Sequence, residues 1–166
     1  KDTEMHFKEG KEHGLLTNWD KNGLKQIETN FKEGKRDGLV HVWHDSGKMK
    51  AETTYKNGQI VGLHTLWYKN GKRKKEVRFN KNHLNGIKTT WYENGQKKEE
   101  MDFKDGKLNG KHTIWYDNGQ KELEENLKDG KRTAPVLTWY KDGKEKANKY
   151  ASPISYEKLQ QIFDTP

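Results

Sequence analysis

The sequence predicts an all-β fold: an elongated single-sheet antiparallel meander of six 24-residue hairpin repeats, twisted or curled. Three observations carry that prediction. Trp19, Trp43, Trp67, Trp91, Trp115 and Trp139 are the six tryptophans of the chain, and each stands 24 residues from the next. All 16 glycines fall at three phases of the same period, four residues after a tryptophan, nine before it or five before it. Between these phases lie short segments that alternate at period two, as strands do. A fixed period of this length marks one supersecondary unit copied along the chain, each copy burying its apolar groups against its neighbours.

Each part of the repeat has its own warrant. Leu39, His41 and Trp43 share one face of a first strand, and Ala51, Thr53 and Tyr55 share one face of a second. Between the two strands, Trp67-Tyr68-Lys69-Asn70-Gly71 reads as a hairpin with a three-residue loop and a left-handed Gly71, which pairs Tyr68 with Lys72 and Trp67 with Arg73. That register pairs Leu63 with Val77 and gathers Leu63, Trp67, Val77 and Phe79 on one face, with the tyrosines opposite, and is preferred for that reason over a two-residue Asn-Gly turn, which would shift the pairing by one and separate them. The second turn phase holds Gly10, Gly34, Gly58, Gly106 and Gly130, with Asn82 in the fourth copy. Asparagine best imitates glycine at positive φ, so a left-handed residue is expected there. Links this short exclude parallel crossovers. About twelve strands at roughly 4.8 Å each make a sheet about 50 Å long, which must twist.

The ends depart from the pattern, as caps do. Asp20 replaces the tyrosine of the first copy, and Ala134-Pro135 interrupts the sixth, where strand pairing is expected to end. The repeat domain is therefore taken as residues 1–150. Residues 151–166 form a C-terminal capping segment, where Leu159, Ile162 and Phe163 suit one side of a short helix.

Composition bounds the alternatives. Only 29% of the chain is hydrophobic and 35% is charged, poor material for a central core. Aromatic residues held in strict phase argue against disorder all the same. The chain has no cysteine, which removes disulfides and thiolate metal sites. No apolar run approaches the ~20 residues of a membrane-spanning helix.

Candidate sites follow from the repeat. The formal charge is +8, and lysines flank the second turn phase as pairs: Lys8 and Lys11, Lys32 and Lys35, Lys104 and Lys107, Lys128 and Lys131. These predict a basic rim along one long edge, suited to an anionic partner. Tyr68, Tyr92, Tyr116 and Tyr140 form a row expected to contact a partner protein, since tyrosine brings large area with little rotamer freedom to lose. The six tryptophans are read as structural, stabilising the ribbon by cross-strand contact. His41, His44, His64 and His112 lie too far apart, or on opposed faces, for a metal. No nucleophile stands in an elbow motif, and the glycines precede no helix that would cradle phosphate. Neither enzyme activity, a small-molecule substrate, a metal nor a cofactor is expected, and no nucleic-acid module is visible.

The recurring W-Y-x-N-G, followed by a glutamate and then by aromatic-Lys-x-Gly-Lys-x-x-Gly, resembles the bacterial variant of the membrane occupation and recognition nexus (MORN) repeat from Phe7 to Gly143. More narrowly it resembles the YwqK-type antitoxin family. The resemblance implies consecutive antiparallel hairpins and a non-catalytic, immunity-type protein, monomeric when free, that neutralises a partner toxin or effector. The alternative is a cell-envelope scaffold that touches anionic lipid or cell-wall polymer through the lysine rim. Lys1 is no start residue, and an upstream export signal would place the protein in the bacterial envelope or periplasm; without one the cytoplasm is expected.

Overall fold

In the computed structural model, which describes residues 2–147, short first strands lead into a regular series of long ones. The first are β1 (Thr3–Glu4), β2 (Phe7–Lys8), β3 (Lys11–Glu12) and β4 (Gly14–Trp19). The series continues with β5 (Lys25–Lys32), β6 (Lys35–Trp43), β7 (Met49–Lys56), β8 (Gln59–Trp67), β9 (Arg73–Asn80) and β10 (His83–Trp91). Then come β11 (Lys97–Lys104), β12 (Lys107–Trp115), β13 (Lys121–Lys128), β14 (Lys131–Arg132) and β15 (Leu137–Thr138). From β4 to β14 every strand pairs with its neighbours in sequence, all antiparallel, with β1 on the outer edge of β4 and β2–β3 as a separate small hairpin. The meander of hairpins is open, as the sequence predicts.

Two turn types alternate along it. The loop after each tryptophan is the expected three-residue one: the Tyr68 amide donates to the Lys72 carbonyl at 2.9 Å, and Gly71 takes φ +88°. At the other edge the loops have two residues, and both are left-handed, as in Asn57 (φ 48°) with Gly58 (φ 79°). This is the primed turn whose twist matches that of the flanking strands. Asn82 is left-handed at φ 68°, as its position predicts, and so is Lys81 before it.

Register departs from the sequence expectation in one respect, and it reverses a face. Trp67 pairs with Arg73 as predicted, but Leu66 pairs with Lys75, so Lys74 is an extra residue that bulges out. Beyond the bulge His64 opposes Val77, Leu63 opposes Arg78, and Gly62 opposes Phe79. Phe79 and Val77 thus lie on the face opposite Trp67, and the Phe79 ring meets His64 edge-on at 6.3 Å. The same shift follows the tryptophan of every hairpin from β4–β5 to β12–β13. One inserted residue moves all later side chains to the other face.

The sheet therefore has two dissimilar faces. On one run columns from strand to strand, such as Leu16–Thr29–Val40–Thr53–His64–Val77. On the tryptophan face, threonines alternate with glutamates in the line Thr65–Glu76–Thr89–Glu100–Thr113–Glu124. Among the described residues Val40 and Val77 are the buried hydrophobic side chains, while Thr17, Thr29, Thr53, Thr65, Thr89 and Thr113 are buried too. A single layer has no interior, so order comes from ladder hydrogen bonds and from columns of like side chains.

At the far end Ala134-Pro135 interrupts β13's partner but does not end the pairing. After the break β15 returns to the same strand, Leu123 against Thr138, and the last tryptophan bridges to Glu145. Proline removes one donor and constrains the residue before it, which opens a gap in the ladder without diverting the chain. The helix expected after Ser155 lies outside the described residues.

Candidate functional site

Alternation within β5, β7 and β11 places the turn lysines on the tryptophan face. The pairs face one another across each two-residue turn: Lys8 with Lys11, Lys32 with Lys35, Lys104 with Lys107, Lys128 with Lys131. Among the described residues none of these eight lysines makes a direct ion pair with a carboxylate, although Lys32 acts on Asp37 at longer range. Lysines further in behave differently, since Lys25, Lys97 and Lys121 each bind the glutamate three residues on, Glu28, Glu100 and Glu124. In the middle of the rim Lys56 is tied to Asp37 at 3.1 Å, and Asp37 also accepts from the Asn57 amide. Those hydrogen bonds hold the Asp37 carboxyl below its ordinary value. Between the turns at 105–106 and 129–130 lies a recess of about 380 Å³ lined by Lys104, Asp105, Lys107, Asn109, Lys128 and Asp129.

The tyrosine row proves to be bonded from repeat to repeat. Tyr68 donates its hydroxyl to the Trp91 carbonyl, Tyr92 to that of Trp115 and Tyr116 to that of Trp139, at 2.7, 2.8 and 2.9 Å. His44 takes the same place one repeat earlier, its Nε2 3.1 Å from the Trp67 carbonyl. The bulged lysines cover the rings, Lys74 over Tyr68 and Lys98 over Tyr92, each at 5.5 Å. Among the described residues of the row Tyr140 is the largely exposed one, at 55%. The loop asparagines add a parallel ladder: Asn70, Asn94 and Asn118 each donate to a carbonyl of the next loop.

Three of the tryptophans share their place with a cation. Lys25 lies over Trp43, Lys97 over Trp115 and Lys121 over Trp139, at 5.6–5.7 Å. Since the same lysines bind Glu28, Glu100 and Glu124, this part of the face is charge-balanced. The histidines are cross-strand residues: His41 Nε2 is 3.0 Å from Glu52, and His64 Nδ1 is 2.7 Å from the Thr53 hydroxyl. His112 joins a polar line across five strands. Its ring nitrogens lie 2.9 Å from Glu125 and 3.1 Å from Glu99; Lys88 approaches Glu99, and Arg132 donates to Glu125.

One row escaped the sequence reading. Leu15, Leu39, Leu63 and Ile87 occupy equivalent positions on the tryptophan face and are 40%, 43%, 37% and 48% exposed. They oppose Asn30, Thr54, Arg78 and Asp102, two residues before Lys32, Lys56, Asn80 and Lys104. The signal was an aliphatic residue four before each of the first four tryptophans; the incorrect register assigned it to a packed patch.

The MORN repeat variant matches at residues 36–57, 60–81, 84–105 and 108–129. Each matched segment starts 24 residues after the last and begins next to the two-residue turn. No curated protein matches the chain. The matched segments cover more than half of the sequence, and with their tryptophan-phased hairpins the chain belongs to the MORN repeat variant family.

Proposed function

We propose that this chain is a non-catalytic protein-binding module of the antitoxin or immunity type, which neutralises a toxin or effector held on an extended face of its sheet. The observation that carries the reading is the aliphatic row. Four large apolar side chains in line, on a protein only 29% hydrophobic, form a surface of the kind that marks an interaction site. Tyr68, Tyr92, Tyr116 and Tyr140 then supply ring area at the far side of the same sheet, since three of the four hydroxyls are already used. The YwqK-type resemblance supports the antitoxin role. Co-expression with the products of neighbouring genes tests it: one of them should be toxic alone and harmless with this chain, and relief of none ends the antitoxin reading.

The unpaired lysine rim favours a second reading, an envelope scaffold that contacts anionic lipid or cell-wall polymer. Co-sedimentation with phosphatidylglycerol vesicles separates the two. Salt-sensitive binding supports the scaffold, and its absence supports the protein partner.

A further inference from the structure

We infer that the row Leu15–Leu39–Leu63–Ile87, with the lysine pairs at its two ends, is the seat of an acidic amphipathic helix presented by the partner; this rests on the protein-binding reading above. The row crosses the strands, and its members sit on every second strand, about 9.6 Å apart. That spacing decides what can lie on it. An extended segment places same-face side chains at even multiples of its rise, about 6.7 or 13 Å, and misses the interval both ways. A helix returns a side chain to the same face after seven residues, about 10.5 Å on, and stays in step over three intervals to within a few ångströms.

The row has a defined length. In the next repeat Lys111, bound to Glu124, takes the aliphatic position and closes it. Three intervals span about 29 Å, the length of a helix of about 19 residues. Charge sets the flank. Leu15 lies diagonal to Lys32 of the Lys32–Lys35 pair and Ile87 to Lys104 of the Lys104–Lys107 pair, and among the described residues none of the four makes a direct ion pair, Lys32 acting on Asp37 only at longer range. In the middle, Lys56 is neutralised by Asp37, and Asn80 and His83 replace lysines, but Arg78 opposes Leu63 and Lys81 stands at the turn tip, while Asp102 opposes Ile87 at the far end. The complementary helix therefore carries an apolar stripe and, along the flank that faces Lys32, Arg78 and Lys104, a line of carboxylates. Nucleic acid fits less well, because each turn tip nets only one positive charge per ~9.6 Å against a phosphate per ~3.4 Å of strand.

The probe is a labelled synthetic helix of about 20 residues with leucines at i, i+3, i+4 and i+7 and glutamates along the flank of that stripe. Controls are the same composition scrambled and the same stripe with lysine for glutamate. Anisotropy with the full chain should show the striped acidic peptide bound about tenfold tighter than either control. Leu39→Ser with Leu63→Ser should remove that preference; Lys32→Gln with Lys104→Gln should weaken binding several-fold and flatten its salt dependence. These leucines are exposed, so the serine variants keep the fold. Equal binding of the scrambled peptide, or undiminished binding by the leucine variant, overturns the inference. Should that variant still relieve its toxin fully, the helix seat falls and protein binding stands. A wild-type chain that relieves no toxin yet shows the striped preference retains the seat and loses the antitoxin role.

Discussion

The column that begins as Leu16–Thr29–Val40 on the phenylalanine face ends as His112–Glu125, and replacing Glu125 with valine tests why. Glu125 is buried, with a side chain 8% exposed, and receives hydrogen bonds from Arg132 and His112. Removing one partner of a buried ionic group costs about 3–5 kcal/mol. Arg132 is 48% exposed and turns to water at little cost, while valine recovers about 1 kcal/mol of burial. The single change should thus destabilise by about 2–4 kcal/mol. His112→Val alone leaves Glu125 with Arg132 and Glu99 with Lys88, and should cost about 1–2 kcal/mol. Together the two changes rebuild the apolar column seen at Val40 and Val77, so the double variant should lie within about 1 kcal/mol of wild type, because a hydrophobic substitute for a whole buried ionic group is often neutral. Repeat arrays can unravel locally, so the readout is amide exchange in β12–β14 beside urea unfolding. A double variant no better than the sum of the singles would refute the reasoning.

Four further outcomes follow from the same geometry. Burial raises the Glu125 carboxyl, but the hydrogen bonds from Arg132 and His112 outweigh it and leave the group below its ordinary 4.5. Its contribution is therefore full above pH 4.5 and is lost as pH falls through the lower folded value; Glu125→Gln should flatten that acid limb in unfolding experiments. His64 is held below its ordinary 6.5, first by burial and then by Lys75, so stability should decline as pH drops from 6.5 toward the folded value. His64→Val, matching Val40, should remove that slope, and a slope that persists would point to another group. Gly110→Ala sets a methyl 2.8 Å from the Asp102 side chain at φ +137°, and should cost about 2–4 kcal/mol against about 1–2 for Gly130→Ala, which meets strain alone. Tyr92→Phe loses the hydroxyl bond to the Trp115 carbonyl, about 0.5–1.5 kcal/mol, with faster exchange of neighbouring loop amides as its mark.

Much of the fold was legible because turn chemistry is local. Gly71 and Asn82 announce their left-handed conformations by residue type, and a loop of known length sets the pairing of the residues beside it. The face of Phe79 was not legible, because a one-residue bulge at Lys74 carries no signature: lysine suits a paired strand and a bulge equally. The lysine rim could be read, since its residues adjoin the turns. The aliphatic row could not, as its exposure depends on which face the register delivers it to.

By itself the sequence determined the hairpin period, a left-handed position in each turn phase and the pairing next to each three-residue loop, all of which depend on backbone preferences within a few residues. Only the tertiary structure decided which side chains share a face and which charges find partners. Tyr68 reaches the Trp91 carbonyl, and Lys25 reaches Trp43, across strands that only the register brings together. A strand's side chains alternate with period two, so a single unpaired residue reassigns every contact beyond it.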